Sequence, residues 1–230
     1  MMLRSALALV MGILVVSWAG LPRDTSFREA MVPVKMGGSA EKTLYVSHVE
    51  VTVADWQRCV QDKGCSHMPK LAGNETHQPV TGVNWFDVNE YLHWANAKSG
   101  GSLRLPTREE WKWLNRSLVK PKPAPLFTDP RLAWAAEYGQ EINLGGPVRP
   151  SGSFSTTPDG VADLDGNVWE WTMTCAAEGF EDKERSYCPA MFVEGGHEAV
   201  IPVFERSPAA GGCATGTPPT YLGLRLVADD

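Results

Sequence analysis

The feature that most constrains the fold is an abrupt change in the character of the chain at Ser117. The strong helix patterns of this 230-residue sequence lie before that point, and the rest combines many glycines and prolines with short strand-like pieces. The change begins with VKPKPAPLFTDP (119–130), whose prolines exclude a helix interior. The sequence therefore predicts one α+β domain whose second half consists largely of loops.

Three helices are predicted in the first half, each from a cap residue that is followed three positions later by an acidic side chain. Apolar residues then recur at helical spacing and predict a buried stripe on each helix. Glycines at 100 and 101 predict the end of the middle helix. The cap pairs are Thr52 with Asp55, Asn84 with Asp87, and Thr107 with Glu110.

Two strands are predicted before these helices. Residues 31–38 and 43–51 are rich in β-branched and aromatic side chains, and a glycine pair separates them. Residues 20–30 show neither periodicity, so we expect them to form a flexible lead-in.

The N-terminus has the organisation of a secretory signal peptide. Arg4 precedes an apolar run from 5 to 16, and small residues at 17 and 19 favour cleavage after Ala19. A membrane anchor is the alternative, but the run is short for a bilayer span. We therefore predict a signal peptide over 1–19, a periplasmic or secreted protein, and no stable membrane span after cleavage.

The charge of the chain excludes one class of partner. Lysine and arginine together number 21 against 27 acidic residues, which gives a net charge of -6, and no long basic run occurs. Binding to nucleic acid requires a basic surface, so nucleic acid is not an expected partner.

Five cysteines fit an oxidising compartment. Cys59 and Cys65 enclose five residues with a glycine at the turn, which predicts a local disulfide. Two of Cys175, Cys188 and Cys213 are expected to pair, and the sequence does not determine which two. The cysteine left over is either a buried free thiol or a reactive one. No CxxC or Cys/His spacing predicts a zinc site.

Four segments, in order, resemble one known family, the formylglycine-generating enzyme or sulfatase-modifying factor family. The resemblance covers residues 30–228, and RLPTREEW followed by GNVWEW is a specific pair of motifs. It implies the C-type-lectin-like α+β fold of that family, as a single loop-rich domain. The segments are SHVEVTVADWQRCV (47–60), the long run from PVTGVNW to WKWLNR (79–116), GVADLDGNVWEW (160–171), and the closing VEGGHE (193–198) and LGLRLV (222–227).

The resemblance also implies a calcium site in the turn DLDGNVWEW (163–171). The corresponding ligands are the carboxylates of Asp163 and Glu170 and the backbone carbonyls of Gly166 and Val168. Such hard oxygen ligands, about 6–8 in number, are those that Ca²⁺ prefers. The alternative is a corner held by hydrogen bonds of Asp and Asn side chains.

The chain departs from the family at the copper site. Family enzymes that act with oxygen bind copper through two cysteines spaced C-x4-C after the closing glycines, and soft thiolates suit Cu(I). Counting from Gly195 without gaps places Val200 and Glu205 at these positions, and Cys213 is the only cysteine after Cys188. We therefore do not expect copper-thiolate formylglycine synthesis, nor another redox metal.

Some residues remain as weaker site candidates. His197 and Glu205 are candidate catalytic groups or metal ligands near the closing glycines, and Trp169 is a candidate wall of the pocket. Because Trp169 and Trp171 alternate along a strand, one indole is expected in the core and one in a groove. Arg206 and Arg225 are candidates for bidentate binding of a carboxylate or phosphate, although a structural role is the commoner one for Arg225.

Exported accessory members, such as NirV-like and PvdO-like proteins, are the relatives that the sequence resembles in type. This resemblance predicts an accessory, maturation or binding factor whose partner is an exported protein or a peptide-derived substrate. The alternative is an oxidoreductase that modifies such a substrate by a cysteine-independent mechanism. A lectin-like receptor is a third hypothesis and rests on fold analogy alone. Whether the protein is an enzyme stays open.

Overall fold

The structure is a computed structural model, and it describes residues 23–37, 42–69, 75–119, 147–176, 188–195, 199–203 and 222–230. The predicted signal peptide and the candidates His197, Glu205, Arg206 and Cys213 lie outside these ranges. The described residues form four helices and two four-stranded sheets, which confirms the predicted α+β class. None of their helices is long and apolar enough to cross a bilayer.

Four helices lie in the described ranges; the three longer ones begin where the sequence predicts, and the short first one was not predicted. They are α1 (Ser26–Glu29), α2 (Val53–Gln61), α3 (Trp85–Ser99) and α4 (Arg108–Asn115), and the three longer ones each start with a complete capping box. In α3 the side-chain oxygen of Asn84 accepts from the N–H groups of Phe86 and Asp87 at 2.9 and 3.1 Å. Gly100 ends this helix with a φ of 92°, a conformation that a residue without Cβ adopts freely.

The strands are β1 (Met31–Met36), β2 (Lys42–Ser47), β3 (Leu103–Arg104), β4 (Trp169–Cys175), β5 (Ala190–Glu194), β6 (Ala199–Pro202), β7 (Leu222–Gly223) and β8 (Val227–Asp229). The first sheet has the order β1-β2-β8-β3 and is antiparallel throughout. Helix α4 covers it, because Trp111 and Leu114 pack with Leu44, Val46 and Val227. This confirms the predicted inward face of α4.

The second sheet has the order β6-β5-β4-β7, so β4 is an interior strand with β5 antiparallel and β7 parallel to it. Trp169 and Trp171 of β4 are 8% and 0% exposed. The prediction that one of these indoles faces a groove is therefore wrong. Residues two positions apart point to the same face of a strand, so both indoles lie on one side of β4. That side is covered, because the ring of Trp85 packs on Trp171 and the backbone of Gly195 lies against Trp169.

The described part of the expected flexible lead-in is ordered. Phe27 of α1 is 7% exposed, and its ring meets that of Trp94 edge-on with centroids 5.6 Å apart. The backbone N–H of Asp24 also donates to the carbonyl of Lys98 at 2.9 Å. The sequence did not predict this helix because its four residues include only one apolar side chain, Phe27. A helical period of apolar residues cannot be recognised from a single position.

Two disulfides stabilise the loop-rich chain. The bond between Cys59 and Cys65 confirms the predicted local bridge, and its Cα atoms lie 5.3 Å apart. The second joins Cys175 to Cys188 and settles which of the other three cysteines pair. Cys213 is therefore the one cysteine outside these two bonds.

Candidate functional site

The turn 163–170 leads into a buried ion pair between β4 and the segment that joins β7 to β8. Oε1 of Glu170 accepts from Nη2 of Arg225 at 2.8 Å, and the two side chains are 1% and 0% exposed. Oε2 of Glu170 accepts from the indole Nε1 of Trp111 at 2.8 Å. Helix α4 and both sheets therefore meet at this carboxylate.

Arg225 uses all of its donors within the protein. Its Nε donates to both oxygens of Glu170, at 3.0 and 3.1 Å, and its Nη1 donates to the carbonyls of Ser47 and His48 at 3.0 and 3.2 Å. Its Nη2 donates to the carbonyl of Ala162 at 2.9 Å as well as to Glu170. A guanidinium has five N–H groups, and each has an acceptor here. Arg225 is thus placed as a structural residue and presents no donor to an outside ligand.

Electrostatics keep this arginine charged in the interior. Burial by itself favours the neutral form, but the adjacent carboxylates outweigh it, Glu170 first, and the pKa of Arg225 lies above its usual value. Arg225 therefore keeps its positive charge in the folded protein across ordinary pH.

The turn itself is held by side-chain acceptors. Asp163 and Asn167 both adopt positive φ, of 67° and 70°, a conformation that Asp and Asn tolerate better than most residues. Oδ1 of Asp163 accepts from the N–H of Phe154 at 2.8 Å, and Oδ2 accepts from the N–H of Gly152. Oδ1 of Asn167 accepts from the N–H of Arg149 at 3.0 Å. This is the geometry of a corner held by Asp and Asn.

These contacts bear on the four residues predicted to bind calcium. Both carboxylates already accept from protein donors, and the carbonyl of Gly166 accepts from the N–H of Val168 at 3.0 Å. In this arrangement the residues do not fit the ion, because Asp163 and Glu170 would first have to exchange these donors for it. Within the described ranges no three His, Cys, Asp or Glu side chains converge as metal ligands. Calcium binding is thus an expectation of the resemblance that the hydrogen bonds of this turn do not favour.

A third carboxylate, which no sequence pattern singled out, lies beside this ion pair. Glu50 is 1% exposed, and among the residues that the structure describes neither of its carboxylate oxygens has a hydrogen-bond partner. Burial raises the pKa of Glu50 to about 8; Arg225 opposes this shift, and the charges of Glu170 and Asp163 add to it. In the sequence Glu50 alternates with Val49 and Val51, which is the pattern of a solvent-facing position.

An open cleft lies between α3 and the strand pair β5–β6. Its volume is about 810 Å³, within the range of roughly 300–1,000 Å³ that ligand pockets occupy. Helix α3 supplies one wall, and the other comes from the residues around β5 and the end of β6. The side chains used below are Trp85, Phe86, Glu90, His93, Cys188, Met191 and Val203.

The floor and rim of this cleft are aromatic. Trp85 packs on Trp171, with ring centroids 5.5 Å apart and planes at 55°. The indole Nε1 of Trp171 donates to the carbonyl of Val83 at 2.9 Å, so the floor is fixed by the core. Phe86 is 40% exposed, unlike most large apolar side chains of the protein. The cleft therefore presents an unusual apolar contact surface to solvent.

Polar groups flank this apolar surface. Oε2 of Glu90 accepts from the N–H of Ser66 at 2.7 Å, which fixes a negative charge on the cleft wall. His93, one turn further along α3, supplies an imidazole. The arrangement can hold an apolar chain segment and disfavours a strongly anionic one.

Sequence reasoning did not find this cleft. The available signal was the position of Phe86, a large apolar residue that lies off the buried stripe of Val88, Tyr91 and Ala95. The opposite wall comes from residues about a hundred positions later, whose placement no local pattern predicts. The candidate Trp169 does not line the cleft, since it is buried beneath Gly195.

Comparison with known proteins adds to this geometry. The family model described as the sulfatase-modifying factor enzyme 1-like domain matches residues 36–230. The chain belongs to this family. The match spans most of the described structure. It confirms the family resemblance from which the fold was predicted.

Relatives within the sulfatase-modifying factor family carry contrasting names. The inactive C-alpha-formylglycine-generating enzyme 2 of Bos taurus is 35% identical over 102 residues, which are 41% of this chain and 32% of that protein. The formylglycine-generating enzyme of Mycobacterium tuberculosis is 26% identical over 181 residues, 66% of this chain and 57% of that protein. The chain thus spans less than two thirds of these relatives.

Solved structures of similar shape support the fold alone. PvdO from Pseudomonas aeruginosa superposes with a TM-score of 0.54 at 17% identity, covering 87% of this chain and 91% of that one. Treponema denticola variable protein 1 gives a TM-score of 0.52, also at 17% identity, covering 87% and 93%.

The copper site of the family enzymes cannot be assembled from the cysteines of this member. Val200 lies in β6 opposite Phe192 and occupies the first expected thiolate position, while Glu205 at the second lies outside the described ranges. Four of the five cysteines form the two disulfides, so only Cys213 remains, and a thiolate pair requires two.

Proposed function

We propose that this protein is an exported accessory or binding factor of the sulfatase-modifying factor family, which holds a peptide segment of an exported partner in the cleft beside α3. The observation that carries the proposal is the cleft itself, where Phe86 is 40% exposed over the fixed floor of Trp85. A large exposed aromatic beside a concave apolar surface is characteristic of a binding site.

Three further features support this proposal. The thiolate positions of the family enzymes hold valine and glutamate in this chain, which argues for binding without copper chemistry. The two disulfides suit an oxidising compartment, as does the signal-peptide pattern over 1–19. The net charge of -6 favours a protein or peptide partner over nucleic acid.

A selection with random heptapeptides displayed on phage tests the binding role. Peptides enriched on the wild-type protein should bind it in calorimetry and should lose most of their affinity for Phe86→Ser. Val119→Ser is the matched control, because Val119 is also an exposed apolar residue, at 68%, and does not line the cleft. Peptides that bind both variants as well as the wild type would place binding elsewhere and contradict the proposal.

The oxidoreductase alternative predicts a different observation. An enzyme that oxidises a peptide with oxygen consumes oxygen in proportion to the peptide supplied. We expect the selected peptides to cause no consumption by the purified protein in an oxygen electrode. Turnover with any of them would show that the cleft catalyses a reaction.

Export has its own test. Mass spectrometry of the protein recovered from the exported fraction should show a mature chain that begins at Gly20, after cleavage at Ala19. An intact N-terminus in a membrane fraction would instead support an anchored protein.

A further inference from the structure

We propose that the disulfide between Cys175 and Cys188 is open to thiol–disulfide exchange, and that a thiol-bearing apolar peptide bound in the cleft forms a mixed disulfide with Cys188. The proposal rests on the proposed function insofar as it uses the same cleft. It adds a covalent reaction and a substrate class that the binding role does not require.

The two disulfides of this protein differ in access. Cys59 and Cys65 are 0% and 3% exposed and lie within the hydrophobic core. Cys175 and Cys188 are only partly buried and pack at the margin of that core. Exchange requires a thiolate to reach a sulfur atom, so access is one of the factors that separate reactive bridges from inert ones.

The position of Cys188 points to an attacker inside the cleft. Cys188 lines the cleft together with Met191, Val203 and the exposed Phe86, whereas Cys175 is not part of the lining. A peptide thiol beside an apolar residue can bury that residue on these walls and bring its sulfur towards Cys188. Glu90 places a negative charge in the same wall, which disfavours an anionic thiol such as glutathione.

The exchange step balances without another reactant. The peptide thiolate attacks Sγ of Cys188 and forms a new sulfur–sulfur bond as the bond between Cys188 and Cys175 breaks. Cys175 leaves as a thiolate and takes up the proton that the peptide thiol lost, for which the imidazole of His93 is a carrier within the cleft. The products are a mixed disulfide on Cys188 and a free thiol on Cys175.

The experiment compares two thiols on the full oxidised protein. The probes are the tetrapeptide Ac-Ala-Phe-Cys-Ala-NH2 and reduced glutathione, and the mixed disulfide is located by peptide mapping and mass spectrometry after acid quenching. We expect the apolar peptide to modify Cys188 at least tenfold faster than glutathione does. We also expect the bond between Cys59 and Cys65 to stay intact over the same time, since its sulfurs are buried.

Variants separate binding in the cleft from simple exposure. Phe86→Ser should remove the preference for the apolar peptide, whereas Val119→Ser should retain it, with circular dichroism confirming that both fold. Equal rates for the two thiols in the wild type, attachment to Cys175 in place of Cys188, or a preference that survives in Phe86→Ser would each overturn the proposal.

The analogue Ac-Ala-Phe-Ser-Ala-NH2, which cannot exchange, reports the binding role separately. If the analogue binds and the thiol peptide does not react, the exchange fails while the proposed function stands.

Discussion

Arg225 and Glu170 form a fully buried ion pair that ties the two sheets of this protein together. The guanidinium and the carboxylate share three contacts between 2.8 and 3.1 Å, and neither side chain is more than 1% exposed. The remaining N–H groups of Arg225 donate to three backbone carbonyls. Two of these belong to Ser47 and His48 at the end of β2, and the third belongs to Ala162 just before the turn that leads into β4. Each of these buried charges is neutralised by the other, so loss of either residue would leave a buried charge without its counter-charge.

Removing one partner of this pair should therefore be costly. We expect Arg225→Met to lower the free energy of unfolding by about 3–5 kcal/mol, because it leaves the Glu170 carboxylate buried without its counter-charge. Urea unfolding followed by tryptophan fluorescence measures this loss. The matched surface change is Asp159→Asn, which removes the exposed contact with Arg116 at 3.2 Å and should cost under about 1 kcal/mol. Equal losses for the two variants would contradict the structural role of Arg225.

Glu50 should make the protein less stable as the pH rises. Burial raises its pKa in the folded state to about 8 from an ordinary value of 4.5, so the folded protein holds this proton more tightly than the unfolded chain does. The stabilisation is complete below pH 4.5 and is lost as the pH rises through 8. Glu50→Gln should remove this dependence, with its largest gain in stability near pH 8.

Urea unfolding of both proteins at intervals from pH 4.5 to 8.5 tests this expectation. The two curves of stability against pH should diverge as the pH rises. Parallel curves would mean that the Glu50 carboxyl has a partner in solution or is solvated.

Asp229 should make the protein less stable as the pH falls, which is the opposite of the effect expected for Glu50. Hydrogen bonds from Arg104, at 2.9 Å from both Nε and Nη2, hold the pKa of this carboxyl below its ordinary value of 3.8, and Lys42 adds to the effect. Its contribution is therefore present above pH 3.8 and is lost as the pH falls through the lowered pKa. Asp229→Asn should be slightly less stable than the wild type at pH 6, and the difference should vanish under strongly acidic conditions. The effect is small because the side chain is 45% exposed to solvent.

Chelation should leave the melting temperature unchanged. Arg225 neutralises the carboxylate of Glu170, and backbone N–H groups donate to both oxygens of Asp163. The turn therefore does not need an ion to keep its conformation. Thermal unfolding after dialysis against EDTA, and again with added calcium, measures this together with elemental analysis. One bound calcium per chain and a rise in melting temperature would instead support the ligand set predicted from the sequence.

The helix starts were predictable because their causes are local. Each capping box is set by two residues three positions apart. The two predicted boxes form at Thr52 and Thr107, and the predicted cap Asn84 forms a third with Asp87. The disulfide between Cys59 and Cys65 was predictable for the same reason. The family resemblance added the fold, which local patterns alone leave open between several α+β arrangements.

What the sequence did not predict depends on contacts between distant segments. Trp169 and Trp171 share one face of β4, and that face is buried by Trp85, far back in the chain, and by Gly195 on the neighbouring segment. The cleft joins α3 to residues around 190 and 203. Glu50 is buried near Arg225, which is distant in the sequence, and the N–H of the adjacent Val51 donates to the carbonyl of Leu224 at 2.9 Å. Alternation along a strand distinguishes two faces, but it does not show whether another element covers each of them.

The position of β8 has a consequence for when this protein can fold. This strand pairs with both β2 and β3, and β7, only a few residues before it, pairs with β4. Neither sheet is complete, and Glu170 lacks its counter-ion Arg225, until residues 222–229 have been synthesised. A growing chain can form the pairings β1–β2, β4–β5 and β5–β6 earlier, but one edge of β2 and one edge of β4 stay unpaired until this last segment emerges.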